Sequence, residues 1–158
     1  MQQEYNTVIA DTSCFILLDK IDMLPTLHEL FGTITTTPEI ATEFGKPLHS
    51  WVNIQSVHDT SFQKAIAAEV DKGEASAISL ALELQPSLLI IDDLKGRKLA
   101  HRLNLTFTGT LGLLLKAKEK GIILHLRPVF EKIQSTNFRI APKLYIAILQ
   151  KVGEWINK

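Results

Sequence analysis

The chain is short of cysteine: Cys14 stands alone in 158 residues. It can form no internal disulfide, and this suits a reducing compartment, so a cytoplasmic location is expected. Long apolar runs are missing as well. No stretch reaches the ~18 residues of a transmembrane helix, so no membrane association is expected. The opening Met1-Gln2-Gln3-Glu4-Tyr5-Asn6 has neither a basic end nor an apolar signal core, and export is not expected. The histidines (His28, His49, His58, His101 and His125) lack the paired spacing of a zinc site. Gly109-Thr110-Leu111-Gly112 lacks the lysine of a phosphate-binding loop. No Gly-x-Ser-x-Gly elbow is present. Asp11-Thr12-Ser13 lacks the second aspartate, two residues on, of an aspartyl-phosphate phosphatase. It also lacks the acid pair of a receiver-like signalling domain, which would need a lysine where Thr108-Gly109-Thr110 stands.

Net charge is absent too, with 17 basic and 17 acidic residues, but the total hides an asymmetry. Residues 1–93 carry 14 acids against 4 Lys or Arg, and residues 94–158 carry 3 acids against 13. Such a split suits a polyanionic partner or a charged site, or two halves that attract each other in the fold. The hydrophobic share of 46% and charged share of 22% are those of an ordinary globular protein. A chain of this length is read as one domain over 1–158, burying roughly 70% of its unfolded surface.

Strand-like and helix-like segments alternate. Strands are expected at Thr7 to Ala10, Thr33 to Thr36, Ser87 to Ile91 and Thr106 to Thr108. Helices are expected at Ser13 to Lys20, Leu24 to Phe31, Pro38 to Gly45, Phe62 to Val70, Glu74 to Leu84 and Leu94 to Leu103. Three more are expected at Thr110 to Lys120, Val129 to Gln134 and Pro142 to Trp155, and residues 45–53 read as a loop. The alternation predicts an α/β fold: a parallel sheet with helices on both faces.

Two apolar stubs end in acid. Val8-Ile9-Ala10 runs into Asp11, and Leu88-Leu89-Ile90-Ile91 runs into Asp92-Asp93. In an open α/β sheet, ligands bind outside the carboxyl ends of the strands, so these acids can meet. Unpaired carboxylates repel, and a cluster of them suits a cation. Each acid also has a plainer reading. Asp11 could cap the next helix, although Thr12 or Ser13 could do so instead. Thr36 with Glu39 fits a capping box, which leaves Glu43, one turn on, as the better ligand candidate. Asp71-Lys72-Gly73-Glu74 is itself a capping box, and on pattern alone Glu74 is structural. Asp92 and Asp93 would face opposite ways along a strand, so one ligand and one cap are expected. Oxygen donors with little nitrogen or sulfur select Mg²⁺ or Mn²⁺.

Lys95, Lys98 and Arg102 form a stripe on the helix that follows Asp93. A stripe of this kind is a solvated face or, beside a metal site, a seat for a phosphate backbone. Thr110 opens a helix after a short strand, and it could hold a phosphate oxygen or act as a plain cap.

Five motifs occur in a fixed order. They are Ile9-Ala10-Asp11-Thr12-Ser13, Pro38-Glu39-Ile40-Ala41-Thr42-Glu43, Asp71-Lys72-Gly73-Glu74-Ala75-Ser76-Ala77-Ile78, Ile91-Asp92-Asp93-Leu94-Lys95-Gly96-Arg97 and Thr108-Gly109-Thr110-Leu111-Gly112. From Val8 to about Gly153 the chain resembles a PIN (PilT N-terminus) domain. Within that family it is similar to the small prokaryotic branch of predicted nucleic acid-binding proteins, related to VapC-type toxins. The resemblance implies a three-layer α/β/α sandwich around a central, mostly parallel sheet. It implies a Mg²⁺- or Mn²⁺-dependent endoribonuclease acting on single-stranded RNA. Asp11, Glu43, Glu74 and Asp92 match the family's metal-holding and catalytic acids, with Asp93 as a further metal position. Glu74 thereby gains a role beyond capping. Thr12, Ser13 and Thr110 match hydroxyl positions near the site, where nucleic acid would lie. Many relatives carry Asp in a different local motif at the third acid. That departure motivates a second reading, an inactive RNA-binding or protein-interaction module. Relatives often serve as the toxin of a bacterial toxin–antitoxin pair, held by a small cognate antitoxin, and many are homodimers.

Overall fold

The computed structural model describes residues 5–156. Strand β1 (Thr7–Ala10) leads through helices α1 (Thr12–Lys20) and α2 (Pro25–Phe31) to β2 (Ile34–Thr36). Helix α3 (Pro38–Phe44), strand β3 (Val52–Ile54) and helices α4 (Thr60–Ile66) and α5 (Lys72–Glu83) follow. The remainder is β4 (Ser87–Ile90), α6 (Leu94–Arg102), β5 (Thr106–Thr108), α7 (Thr110–Glu119), α8 (Leu126–Gln134) and α9 (Pro142–Lys151).

The strands pair in the order β3-β2-β1-β4-β5, all parallel. The chain moves one way from β1 to β2 and β3, and the other way from β4 to β5. Right-handed crossovers therefore put α1 and α2 on one face and α5 with α6 on the other, while α3 packs against both α1 and α5. The order reverses between β1 and β4, which is the switch point where an open α/β sheet takes ligands. Ala10 stands opposite Ile90 across that pair, so Asp11 and Asp92 both emerge within two residues of its end. Residues Val8 to Ala10 and Ser87 to Ile90 are all buried, which is why both stubs are apolar without alternation. Cys14 is fully buried among core side chains, as its Phe-Ile-Leu neighbours suggest. Among the described residues no helix is long and apolar enough to cross a membrane.

Several expected boundaries move, for physical reasons. Val52 to Ile54 is a sheet-edge strand that overlaps the loop expected at 45–53, because one partly buried and two exposed residues leave no alternation to read. Helix α4 starts earlier than Phe62, since the Asp59 carboxylate accepts the Phe62 amide at 3.0 Å. It also stops at Ile66 rather than Val70. Val70 is still buried, but Asp71 beyond it must be extended to cap α5. The cap of α3 is Thr37, whose hydroxyl accepts the Ile40 amide, while Thr36 instead donates to the Ala10 carbonyl. The expected Thr36–Glu39 capping box does not form, and Glu39 accepts from Gln63 of α4.

The C-terminal helices differ most. Helix α8 begins at Leu126 rather than Val129 because Glu154, 28 residues on, accepts the Leu126 and Arg127 amides at 2.8 and 2.9 Å. Helix α9 ends at Lys151 rather than Trp155, since Gly153 turns to a φ of 76° and releases Glu154 for that task. The two amides hold the Glu154 carboxyl below its ordinary range, with Lys118 adding to them against the opposing pull of burial. Glu154→Ala is expected to cost about 1–2 kcal/mol, the usual value of a helix N-terminal cap. The loss, read as a shifted guanidinium midpoint, should hold at neutral pH. It should shrink as pH falls through the lowered carboxyl, where wild-type Glu154 is itself protonated.

Candidate metal centre

Asp11 follows β1 directly, and its amide still bonds the Ile90 carbonyl at 3.0 Å. It occupies the capping position of α1, yet its side chain makes no capping bond. The residue is 4% exposed, and its buried Oδ1 has no hydrogen-bond partner. A buried carboxylate oxygen with no donor is costly unless it is protonated or meets a cation. Burial pushes the Asp11 carboxyl up to about 7 against the pull of the Thr12 amide, and the charges of Asp71, Glu43 and Asp92 push the same way.

The next two hydroxyls of α1 reach the neighbouring acids. Thr12 donates to Glu43 Oε1 at 3.3 Å, and Ser13 donates to Asp92 Oδ2 at 3.2 Å. Glu43 lies in the last turn of α3, where α3 meets α5. Its Oε1 sits 1.8 Å from where a Cβ on Gly73 would be, so Gly73 gives that carboxylate its place. Burial raises the Glu43 carboxyl, and Asp71 adds to the effect.

Glu74 does what the spacing suggests and keeps an oxygen in reserve. The Asp71 carboxylate accepts the Glu74 amide at 2.8 Å, and Glu74 Oε1 accepts the Asp71 amide at 3.3 Å. Glu74 Oε2 lies over Gly96, 3.2 Å from its missing Cβ. At 3% exposure, Glu74 is pushed up to about 8 by burial first and then by the charges of Asp71 and Asp11.

The adjacent aspartates divide their work. Asp93 caps α6 by accepting the Lys95 and Gly96 amides. Asp92 turns the other way and accepts the Thr110 amide at 2.7 Å and the Thr110 hydroxyl at 2.6 Å. Thr110 is fully buried, with amide and hydroxyl both committed to Asp92, and the cap of α7 is Gly109. Lys95, Lys98 and Arg102 lie exposed along α6, and Arg102 is paired with Glu69 at 2.6 Å.

Two residues gain a place that their sequence neighbourhood did not suggest. Asp71, read only as a cap, acts on Asp11, Glu43 and Glu74 through its charge. The Arg97 guanidinium comes beside Asp92: both stand 2.9 Å from where a Gly109 Cβ would lie. The i, i+3, i+7 stripe passes over Arg97, so helical spacing alone could not find it.

Among the described residues no three His, Cys, Asp or Glu side chains are already gathered tightly enough to hold an ion. The all-oxygen donor set and the orphaned Asp11 oxygen nevertheless fit a hard divalent cation. Raised carboxyls contribute stability below the ordinary carboxylate range and lose it as pH climbs through about 7 and 8. In chelator, the melting temperature should therefore fall between pH 5 and 8.5. Asp11→Asn should flatten that fall and melt higher than wild type at pH 8.5. Equal slopes for the two proteins would mean that Asp11 titrates normally.

A family model described as a PIN domain matches residues 7–154. No curated protein matches the chain. PIN domains are in general nucleases, and they typically use divalent metal ions. With the match covering nearly all of its length, the chain belongs to the PIN-domain family.

Proposed function

We propose that this protein is a Mg²⁺- or Mn²⁺-dependent endoribonuclease that cleaves single-stranded RNA. The observation that carries the reading is Asp11: a buried carboxylate oxygen without a donor, at the sheet's switch point, under the charge of other acids. Asp11, Glu43, Glu74 and Asp92 would hold the ion, with Asp93 at the margin. A bound ion of this class lowers the pKa of water and offsets charge on a phosphodiester.

The chain's own residues do the rest. Thr12 and Ser13 fix the carboxylates of Glu43 and Asp92. Thr110 fixes Asp92 from the other side, so its part is positioning rather than direct contact with RNA. Gly73 and Gly96 keep the ground beneath Glu43 and Glu74 clear. Arg97, close to Asp92, can meet a phosphate oxygen where charge grows on the leaving group. Lys95, Lys98 and Arg102 would hold the flanking backbone. Purified protein with Mn²⁺ should cleave an unstructured RNA, and Asp11→Asn should lower the rate at least ~100-fold, as loss of a metal ligand or base does. Equal rates would remove the assigned chemistry.

The family resemblance supports a toxin role, with a small cognate antitoxin and a homodimeric state. Light scattering of the purified protein should read twice the mass of the 17.7 kDa chain. A monomer would overturn the dimer.

One observation favours the inactive module instead. Glu74 already spends one oxygen in the capping box, and among the described residues the acids are not gathered on a common point. Calorimetry with Mn²⁺ separates the two readings. Binding lost in Asp11→Asn is the expected result, and no heat at millimolar metal would favour the module.

A further inference from the structure

A groove of about 870 Å³ lies outside the acid cluster on the exposed side of α6 and the edge strand β5. Lys95, Arg97, Lys98, His101 and Arg102 line it, with Glu69 as its one acid. That acid is already paired with Arg102, so the other cations face the groove uncompensated by any acid lining it. Beside them stands Phe107 of β5, partly exposed, with the Arg97 guanidinium 5.3 Å from its ring centre.

A solvated helix face accounts for the lysines of α6. It does not account for an aromatic ring left half open among them. On a three-residue strand, the two-residue period puts Phe107 on one face and its threonine neighbours on the other. The groove is also continuous with the candidate site. Arg97 lines both it and the cleft that holds Asp92 and Asp93. Lys95 and Glu69 likewise line both it and the cleft that holds Asp71, Glu74 and Asp93.

We propose that this groove is a binding track for single-stranded polynucleotide, with an unpaired base stacked on Phe107 and the backbone held by Lys95, Lys98 and Arg97. The proposal deepens the nuclease reading and rests on it for the direction of the track, toward the acids. Its chemistry is specific. Lysines hold phosphates whatever the sequence or strandedness. An aromatic platform accepts only a base whose face is free, which a duplex does not offer. The Arg97 guanidinium lies over the ring, so ring and guanidinium form one platform, because guanidinium also stacks on bases.

The test is fluorescence anisotropy in chelator with the Asp11→Asn protein, so that binding is read without cleavage. The probes are one labelled, unstructured RNA and the same strand annealed to its complement. Phe107→Leu keeps apolar bulk and should weaken single-strand binding about tenfold while sparing the duplex, since stacking is removed. Phe107→Tyr should restore it. Lys95→Glu with Lys98→Glu should weaken both probes and flatten the salt dependence. Thermal melts identify any variant that fails to fold, and Phe107→Ile, β-branched and suited to a strand, then serves as the second non-aromatic variant, with the same single-strand loss expected. Unchanged single-strand affinity in a folded Phe107→Leu protein overturns the platform. Unchanged affinity on charge reversal overturns the track. The nuclease reading fails in a different way: intact RNA after incubation of wild type with Mn²⁺, with these affinity differences still present.

Discussion

Parallel pairing of β1 with β4 sets up everything that follows at the carboxyl edge. The four-rung register Thr7–Ser87 to Ala10–Ile90 ends both strands together. Each strand then delivers an acid within two residues of that last pair, on either side of the point where the strand order reverses. Both strands are buried, so slipping the register would drive apolar side chains out of the core. The cost of burying an Asp11 oxygen without a donor is thus imposed by the same pairing that holds the core. The fold carries an electrostatic liability at one place because its most buried strands end there.

That liability is contained by helix N-termini. Helices begin at the carboxyl edge with free amides pointing outward, and the acids use them. Asp71 and Glu74 share those of α5, Asp93 takes two from α6, and Asp92 takes one from α7. The partial positive charge of each helix start favours the ionised acid. Burial outweighs this help: it raises Asp11, which has one oxygen unpartnered, and it raises Glu74 despite the capping box. Glycine completes the arrangement by omission. Gly73, Gly96 and Gly109 lie under Glu43, Glu74 and Asp92, each where a Cβ would crowd a carboxylate oxygen. These are requirements for space, since none of the three has a positive φ.

The charge asymmetry between the halves of the sequence acquires a spatial meaning. Asp11, Glu43, Asp71 and Asp92 of the acidic half act on one another by charge beyond β1 and β4, and α6 opens the basic half directly after Asp93. A polyanion reaching the acids would otherwise be repelled. Cations starting within two residues of Asp93 supply the opposing field. Arg97 ties the regions together, next to Asp92 on one side and over Phe107 on the other.

The sequence by itself determined what depends on near neighbours. Apolar stubs ending in acid, the alternation of strands and helices, the Asp71–Glu74 capping box and the division of Asp92 and Asp93 into different jobs were all legible, because each is decided within a few residues. The order of the five motifs was enough to point to the family. Tertiary structure alone decided matters that require groups distant along the chain to meet. Thr37 rather than Thr36 caps α3 because Thr36 is claimed by the Ala10 carbonyl across the sheet. Glu154 starts α8 early from 28 residues away. Thr110 gives its donors to Asp92, and Glu43 settles against Gly73. Local patterns report which bonds a residue can make. Only packing decides which of the competing partners is close enough, and buried enough, to take it.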